Sequence, residues 1–456
     1  MLRAIDPTTG DVVREVEPDR EAEVERKLDA AVVAFQGWRR ASFDDRAKVL
    51  RAVARLMRED VERLGGLMTE EMGKPVREAR GEVQKSAWCA EHYATHAAHY
   101  LATEHIHSDA TRSYVQNLPL GPVLGILPWN APFWLAFRFL APALMAGNAA
   151  LVKHDPHVPG CAVALPDLFE RAGAPPGLVQ ALLLPTPRVE AVLRDPRVRA
   201  VSFTGSSGGG AKVAAIAASV IKPAVLELGG SDPAIVLADA DLDAAVEAIA
   251  TMRIINAGQS CIAAKRVLVE APVYERFVEA FAERLRAYRV GDPREEKTDV
   301  GPLARGDLRD ALHAQVQGTI DQGATCHFGG EVPEGPGFFY PVTLLTGVHR
   351  DMTAFREETF GPVAAVTRVA DVDEALARAN DTDYGLAASV FTDAARGERL
   401  ARDIESGQVA VNGVVKTDPR LPSGGVKGSG YGRELGPHGI RMFVNAQQVW
   451  VGPRRD

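Results

Sequence analysis

The sequence predicts an α/β protein in two lobes, each built on a mostly parallel sheet covered by helices. Three observations carry this. The chain has 456 residues, too many for one core of ordinary size and enough for two or three domains. From Gly121 onward, short apolar runs alternate with amphipathic stretches, which is the rhythm of β–α–β units. That rhythm occurs twice, and the Gly229-Gly230 pair separates the two sets.

Taken in order, residues 20–100 read as long helices, with apolar positions at helical spacing in Val49, Leu50, Val53, Leu56 and Met57, then Val61 and Leu64. In the first α/β set GPVLGIL, AALVK, VQALLLP, AVSFT and AVLEL are strands, with helices near 133–146 and 161–172. In the second set PAIVLA, RVLVEA, AAVTRVA, ASVFT and QVAVNG are strands, with helices from Asp241 to Ile255 and over 273–289. TRSYVQNL and QQVWV also have strand character. Both would be poor isolated edges, so another subunit is expected to cover them.

Composition narrows the class. Hydrophobic residues make up 46% of the chain and charged residues 25%, as in a globular protein. A net charge of −8 argues against nucleic acid or an anionic membrane as the main partner. The first residues, MLRAIDPTTG, carry no secretory apolar region, and Leu135–Met145 is broken by Arg138 and Pro142, so no run spans a membrane. The scattered cysteines Cys89, Cys161, Cys261 and Cys326 read as free thiols of a reducing cytoplasm.

Four places could carry chemistry. Cys261 lies in NAGQSCIAAKR, a small polar turn between a helix and a strand, where a thiol has the exposed backbone setting a nucleophile needs. Glu227 ends the strand AVLEL beside two glycines and could reach over a cleft as a general base. FTGSSGGGAK is a glycine-rich turn between a strand and a helix, suited to a pyrophosphate at a helix N-terminus. Asn130 in LPWNAP could donate its amide to an oxyanion. Each has a plain structural alternative: a packed small thiol, a solvated strand end, an ordinary turn, an Asn-X-Pro turn. Cys89 and Cys161 sit in helical patterns and Cys326 precedes a Gly-Gly turn, so these three read as structural. His92, His96 and His99 share one helical face with Trp88, which suits packing against a neighbouring helix better than a metal site, so no metal is expected.

The combination is more specific than its parts. PWN (128–130), LVK (151–153), FTGS (203–206), ELGG (227–230), GQSC (258–261), EETFGPV (357–363) and GGVKGSGYGRE (424–434) together resemble the aldehyde dehydrogenase superfamily, in its order and over nearly the whole chain. The resemblance implies a Rossmann-like cofactor domain, a catalytic α/β domain and a small oligomerisation β-element. These would be residues 1–100 with 120–229, residues 230–434, and residues 101–119 with 435–456, in a cytoplasmic homodimer or homotetramer. It implies Cys261 as nucleophile, Asn130 and the Cys261 N–H as oxyanion donors, and Glu227 as activator of water. NADP or NAD would lie with its pyrophosphate near Gly205, Ser206 and Gly210. Lys153 would reach the adenine-side ribose, Glu358 and Phe360 would flank the nicotinamide side, and Trp129 and Leu228 would line the same path.

Two departures from the family pattern bear on specificity. The usual Lys-Pro-x-Glu reads Lys153-His154-Asp155-Pro156, so Pro156 stands in place of the ribose carboxylate. NADP is therefore expected to be accepted well. His154 adds a weak positive contact, and Asp155 is the one carboxylate that could substitute. The usual Pro-Phe-Gly-Gly reads Pro422-Ser423-Gly424-Gly425, which alters the expected substrate entrance. GQSCIAAKR and the late glycine motif look most like short bacterial succinate-semialdehyde dehydrogenases. Arg138, eight residues after Asn130, matches an arginine that binds the substrate's distal carboxylate there. A second arginine of some members is Ile255 here, and Arg253 lies two residues before it. The alternatives are a dehydrogenase of another small aliphatic or aromatic aldehyde and a non-catalytic member of the superfamily. Glu227 argues against a CoA-acylating enzyme.

Overall fold

In the computed structural model, which describes residues 1–452, the early apolar periodicity becomes four helices, Glu21–Trp38, Phe43–Glu59, Val61–Met72 and Val76–Tyr100. Their limits are set locally. The Ser42 hydroxyl accepts the Asp45 N–H at 3.1 Å to start the second, and Gly73, at φ +75°, stops the third in a left-handed turn. The second and fourth pack face to face through buried residues that include Leu50, Val53, Met57, Val83 and Ala90. This contact fixes the fourth helix, which later supplies side chains to the site. Ahead of them Leu2–Ile5 pairs antiparallel with Val12–Val16, a hairpin too short for the sequence pattern to reveal.

The first sheet has six strands in the order Gly430–Tyr431, Ala224–Glu227, Ala200–Thr204, Pro122–Leu127, Ala149–His154, Val179–Ala181. It is parallel except at Gly430–Tyr431, which crosses back from the C-terminal part of the chain. The second sheet has seven strands, in the order Thr325–Phe328, Thr343–Thr346, Val363–Val369, Ala264–Glu270, Asp232–Val236, Ala387–Phe391, Gln408–Val411. Only its Thr325–Phe328 edge is antiparallel. Both central regions are buried on two faces, which is why these strands read as continuous apolar runs. A third sheet joins Val444–Val451, Arg112–Pro119 and Glu104–His105, all antiparallel. Residues 453–456 of the expected oligomerisation element lie outside the described residues.

The histidine stripe lies on helix Val76–Tyr100, where His92 Nε2 is 3.1 Å from the Tyr100 hydroxyl. Burial pushes His92 down to about 4, so the ring is neutral. Among the described residues no three His, Cys, Asp or Glu side chains gather to hold a metal. Trp88 departs from its predicted role as helix packing. It is half-buried, the Arg420 guanidinium lies 5.4 Å from its ring centroid, and it lines the cavity described next.

Candidate active site

Parallel sheets gather loops at the C-terminal ends of their strands, and ligands bind there. In the first sheet those ends are adjacent. Strand Pro122–Leu127 leads to Trp129 and Asn130, and Ala149–His154 ends with Lys153 and His154. Ala200–Thr204 leads to Gly205, and Ala224–Glu227 leads to Leu228. Topology therefore brings four separated motifs to one rim.

The loop that carries Cys261 is tightly determined. Helix Leu242–Ile254 ends, and Asn256, Ala257 and Gly258 follow at φ +53°, +53° and +72°. Left-handed non-glycine residues cost roughly 1–3 kcal/mol each and persist only where surroundings hold them. Here the Asn256 N–H donates to Glu78 Oε2 at 2.7 Å, and its amide donates to the Asn130 and Gln259 carbonyls at 2.8 and 3.1 Å. Glu78 is pushed up to about 7 by burial, against the pull of Lys74. Arg253 is fully buried and donates to the Gly258 carbonyl at 2.8 Å, so it braces the loop from behind and offers nothing to a substrate. A Cβ on Gly258 would lie 2.2 Å from the Gly361 carbonyl oxygen. Gly258→Ala is accordingly expected to destabilise the protein by at least about 1–3 kcal/mol, from strain and clash together. An unchanged melting temperature contradicts this account of the loop.

Cys261 follows, half-buried, before strand Ala264–Glu270. Burial pushes its thiol up to about 11, with Lys265 and Arg138 pulling the other way. The resting thiol is thus protonated at neutral pH, and a base has to take its proton. Lys265 sits at the loop's other end, donating to the Ser260 and Cys261 carbonyls at 2.9 and 2.6 Å and pairing with Glu358 at 3.1 Å. Sequence reading gives Lys265 no role, although it stands in the quoted GQSCIAAKR. Asn130 is anchored from both sides. Lys74 donates to its carbonyl at 2.9 Å, and its own amide donates to the Gln259 carbonyl at 3.1 Å, which leaves one amide hydrogen for a ligand.

Glu227 is buried at 4% exposure, and its Oε2 accepts from Arg138 Nη2 at 2.9 Å. Its Oε1 is buried without a partner among the described residues. Burial raises Glu227 well above the usual carboxylate range, opposed by Arg138 and reinforced by Glu434. Arg138 Nη2 also pairs with Glu434 at 2.6 Å and lies 3.5 Å from Ser423 Oγ. Burial works against the Arg138 charge, but Glu434 and Glu227 more than offset it. The spacing from Asn130 predicts a guanidinium free for a substrate carboxylate; the structure gives it two protein carboxylates instead. Ser423, predicted to reshape the substrate entrance, is buried beside this cluster.

The remaining predicted residues lie along the rim. Gly205 donates its N–H to the Glu227 carbonyl at 3.0 Å, and Ser206 caps helix Ser207–Ser219 by accepting from Gly209 at 3.2 Å. A Cβ on Gly210 would meet Leu228 Cδ2 at 2.4 Å, so glycine is what lets this helix start so close to the strand end. Trp129 meets Phe360 edge to face at 5.9 Å, and Glu358 Oε1 accepts the Gly230 N–H at 3.1 Å. Lys153 is only 4% exposed, yet its Nζ makes no hydrogen bond or ion pair with a described residue; this uncommitted ammonium fits an anionic cofactor. Burial lowers its pKa, and Asp155 works against that. Asp155 Oδ1 is engaged by His157, with the N–H at 2.9 Å and Nδ1 at 2.6 Å, and Pro156 is half-buried between them. His154 overturns its predicted contact: it is buried, and burial pushes it down to about 4, so it carries no charge.

A cavity of about 480 Å³ opens over Cys261. Cys261, Asn130 and Arg138 share its wall with Trp88, Trp134, Leu135, Ile255 and Val415, and with Lys85 and Thr417. Such a cavity suits a small, mostly apolar molecule with polar groups at defined points.

The model of the aldehyde dehydrogenase family matches residues 1–449. A protein of Mycobacterium avium named succinate-semialdehyde dehydrogenase, NADP(+), is 47% identical, over 99% of this chain and 97% of its own. One of Synechocystis, named probable succinate-semialdehyde dehydrogenase, NADP(+), is 46% identical, over 99% of each. The crystal structure of succinic semialdehyde dehydrogenase from Streptococcus pyogenes in complex with NADP+ superposes with a TM-score of 0.96 at 33% identity, covering 99% of this chain and 100% of that one. The chain belongs to the aldehyde dehydrogenase family.

Proposed function

We propose that the protein oxidises succinic semialdehyde, an ω-carboxylated aldehyde, to the dicarboxylate through a thioester on Cys261, with NADP as the preferred acceptor and NAD as a usable one. The observation that carries this is one cavity wall holding Cys261, Asn130 and Arg138, with Glu227 bound to Arg138. The names of the similar proteins support the choice of aldehyde and cofactor.

The chemistry follows from the side chains. The Cys261 proton passes to water in the open cavity, with Lys265 and Arg138 favouring the thiolate, and the thiolate adds to the aldehyde carbon. The resulting oxyanion accepts from the Asn130 amide and the Cys261 backbone N–H. A nicotinamide held beside Trp129, Glu358 and Phe360 would supply the acceptor for the hydride lost from that carbon, which leaves a thioester. Glu227 then takes a proton from water as it attacks the thioester, and the Cys261 sulfur departs. Arg138 positions Glu227. With two carboxylates on Nη2 it brings the substrate no net charge, only hydrogen bonds from the nitrogens those carboxylates leave free.

Cofactor choice rests on Lys153 and Pro156. Pro156 neither bonds the ribose hydroxyls nor repels a 2′-phosphate, and Asp155 is held by His157. Lys153→Ala is expected to lower kcat/KM for NADP by about tenfold or more, and more than for NAD. Asp155→Ala should leave the cofactor ratio nearly unchanged. A preference of the wild type for NAD by about a hundredfold, relaxed by Asp155→Ala, contradicts this reading.

Residues 1–100 with 120–229 form the proposed cofactor domain, 230–434 the catalytic domain, and 101–119 with 435–456 the oligomerisation element. Val444–Val451 is an edge strand of eight residues, and Trp450 on it is 50% exposed, which suits pairing in a homodimer or homotetramer. No helix among the described residues is long and apolar enough to cross a membrane. The four free thiols fit a cytoplasmic setting.

A further inference from the structure

The substrate proposed above carries a charge at each of its working ends: an oxyanion that forms at Cys261 and a permanent distal carboxylate. The first has its donors. For the second, the charges around the cavity leave one candidate. Arg138 is committed to Glu227 and Glu434. Lys416 also lines the cavity but is exposed to solvent. Lys85 projects from helix Val76–Tyr100, lines the same cavity as Cys261, and makes no ion pair with any described residue.

Its surroundings sharpen the point. Lys85 Nζ donates to Thr417 Oγ1 at 2.8 Å and lies 4.2 Å from the Trp134 ring centroid. The two carboxylates that favour its charge are already matched by other groups. Glu82 pairs with Lys74 and accepts the Phe133 and Trp134 N–H groups at 2.9 and 3.0 Å. Asp418 is paired with Arg420 at 2.6 Å. A largely desolvated ammonium without a counter-ion is costly, and an anion entering the cavity relieves that cost. Trp134 contributes its ring face on one side, and Thr417 a hydroxyl that can turn to a carboxylate.

We propose that Lys85, seated on Trp134 and Thr417, binds the distal carboxylate of the substrate and is the residue that selects ω-carboxylated over uncharged aldehydes. This rests on the succinic semialdehyde reading and adds the source of its charge selectivity. Burial, and then Arg138, lower Lys85 to about 8, with Glu82, Cys89 and Asp418 acting the other way. Carboxylate binding is therefore present below that pH and lost as pH rises through it.

Steady-state kinetics with NADP test this on wild type, Lys85→Met and Lys85→Arg, each with succinic semialdehyde and with butanal. Lys85→Met is expected to reduce kcat/KM for succinic semialdehyde roughly 10- to 100-fold more than for butanal, mainly through KM. Lys85→Arg should recover much of the difference. In wild type, kcat/KM for succinic semialdehyde relative to butanal should fall above about pH 8, and Lys85→Met should lose that pH dependence. Equal losses for both aldehydes in Lys85→Met make Lys85 structural and overturn the assignment. A wild type that favours succinic semialdehyde, with Lys85→Met keeping that preference, overturns it too and leaves the substrate reading standing. A wild type without any preference for succinic semialdehyde overturns the substrate reading itself.

Discussion

Replacing Cys261 by alanine is expected to lower turnover by about four orders of magnitude or more while NADP still binds. Removing a nucleophile from a concerted site costs on this scale because no other group can form the covalent intermediate. The other thiols cannot substitute. Cys89 and Cys161 are buried, and burial raises both pKa values far above the thiol range, which makes them poor nucleophiles. Cys326 is half-buried on strand Thr325–Phe328, at the edge of the second sheet, and does not line the cavity. NADP binding should persist because Lys153, Gly205–Gly210 and Leu228 belong to the first sheet and its strand ends, whereas Cys261 precedes a strand of the second. Quenching of tryptophan fluorescence measures NADP binding and NADPH absorbance measures turnover. Substantial residual turnover in the alanine variant contradicts the mechanism.

Glu227→Gln has the second largest expected effect, roughly 10²–10⁴-fold on the steady rate. The amide keeps the shape and a hydrogen bond from Arg138 but cannot accept a proton. Thioester hydrolysis should slow most, because water is a weaker nucleophile than a cavity thiol. Rapid mixing should then show a burst of NADPH followed by slow turnover. The wild-type rate should also fall as pH drops through the raised Glu227 pKa, since the base acts only when deprotonated, and Gln should remove that limb. If burst and steady rate fall together, Glu227 is needed chiefly for thiol activation.

Much of this site is legible in the sequence because its chemistry rides on local backbone turns. Cys261, Asn130, Glu227 and the FTGS turn each follow a strand or helix end, where glycine, proline and polar residues mark an exposed loop. What sequence does not reveal comes from distant elements. Lys85 and Trp88 lie three residues apart on a long helix, and a lysine in such a pattern reads as a solvated face until the helix is docked. The Arg138 cluster is similar: it joins a helix, a strand end and the loop carrying Glu434, and only the tertiary fold shows the guanidinium already engaged. His154 fails for another reason. Its strand is interior and covered on both faces, so the residue after Lys153 is buried as well.

The central claim is that a succinyl thioester forms on Cys261 and that Glu227 clears it. Intact-protein and peptide mass spectrometry of Glu227→Gln, quenched during turnover of succinic semialdehyde with NADP, measures this directly. The account predicts a succinyl adduct confined to the peptide containing Cys261, formed in step with the NADPH burst. NADPH formed in a burst while Cys261 stays unmodified would contradict it.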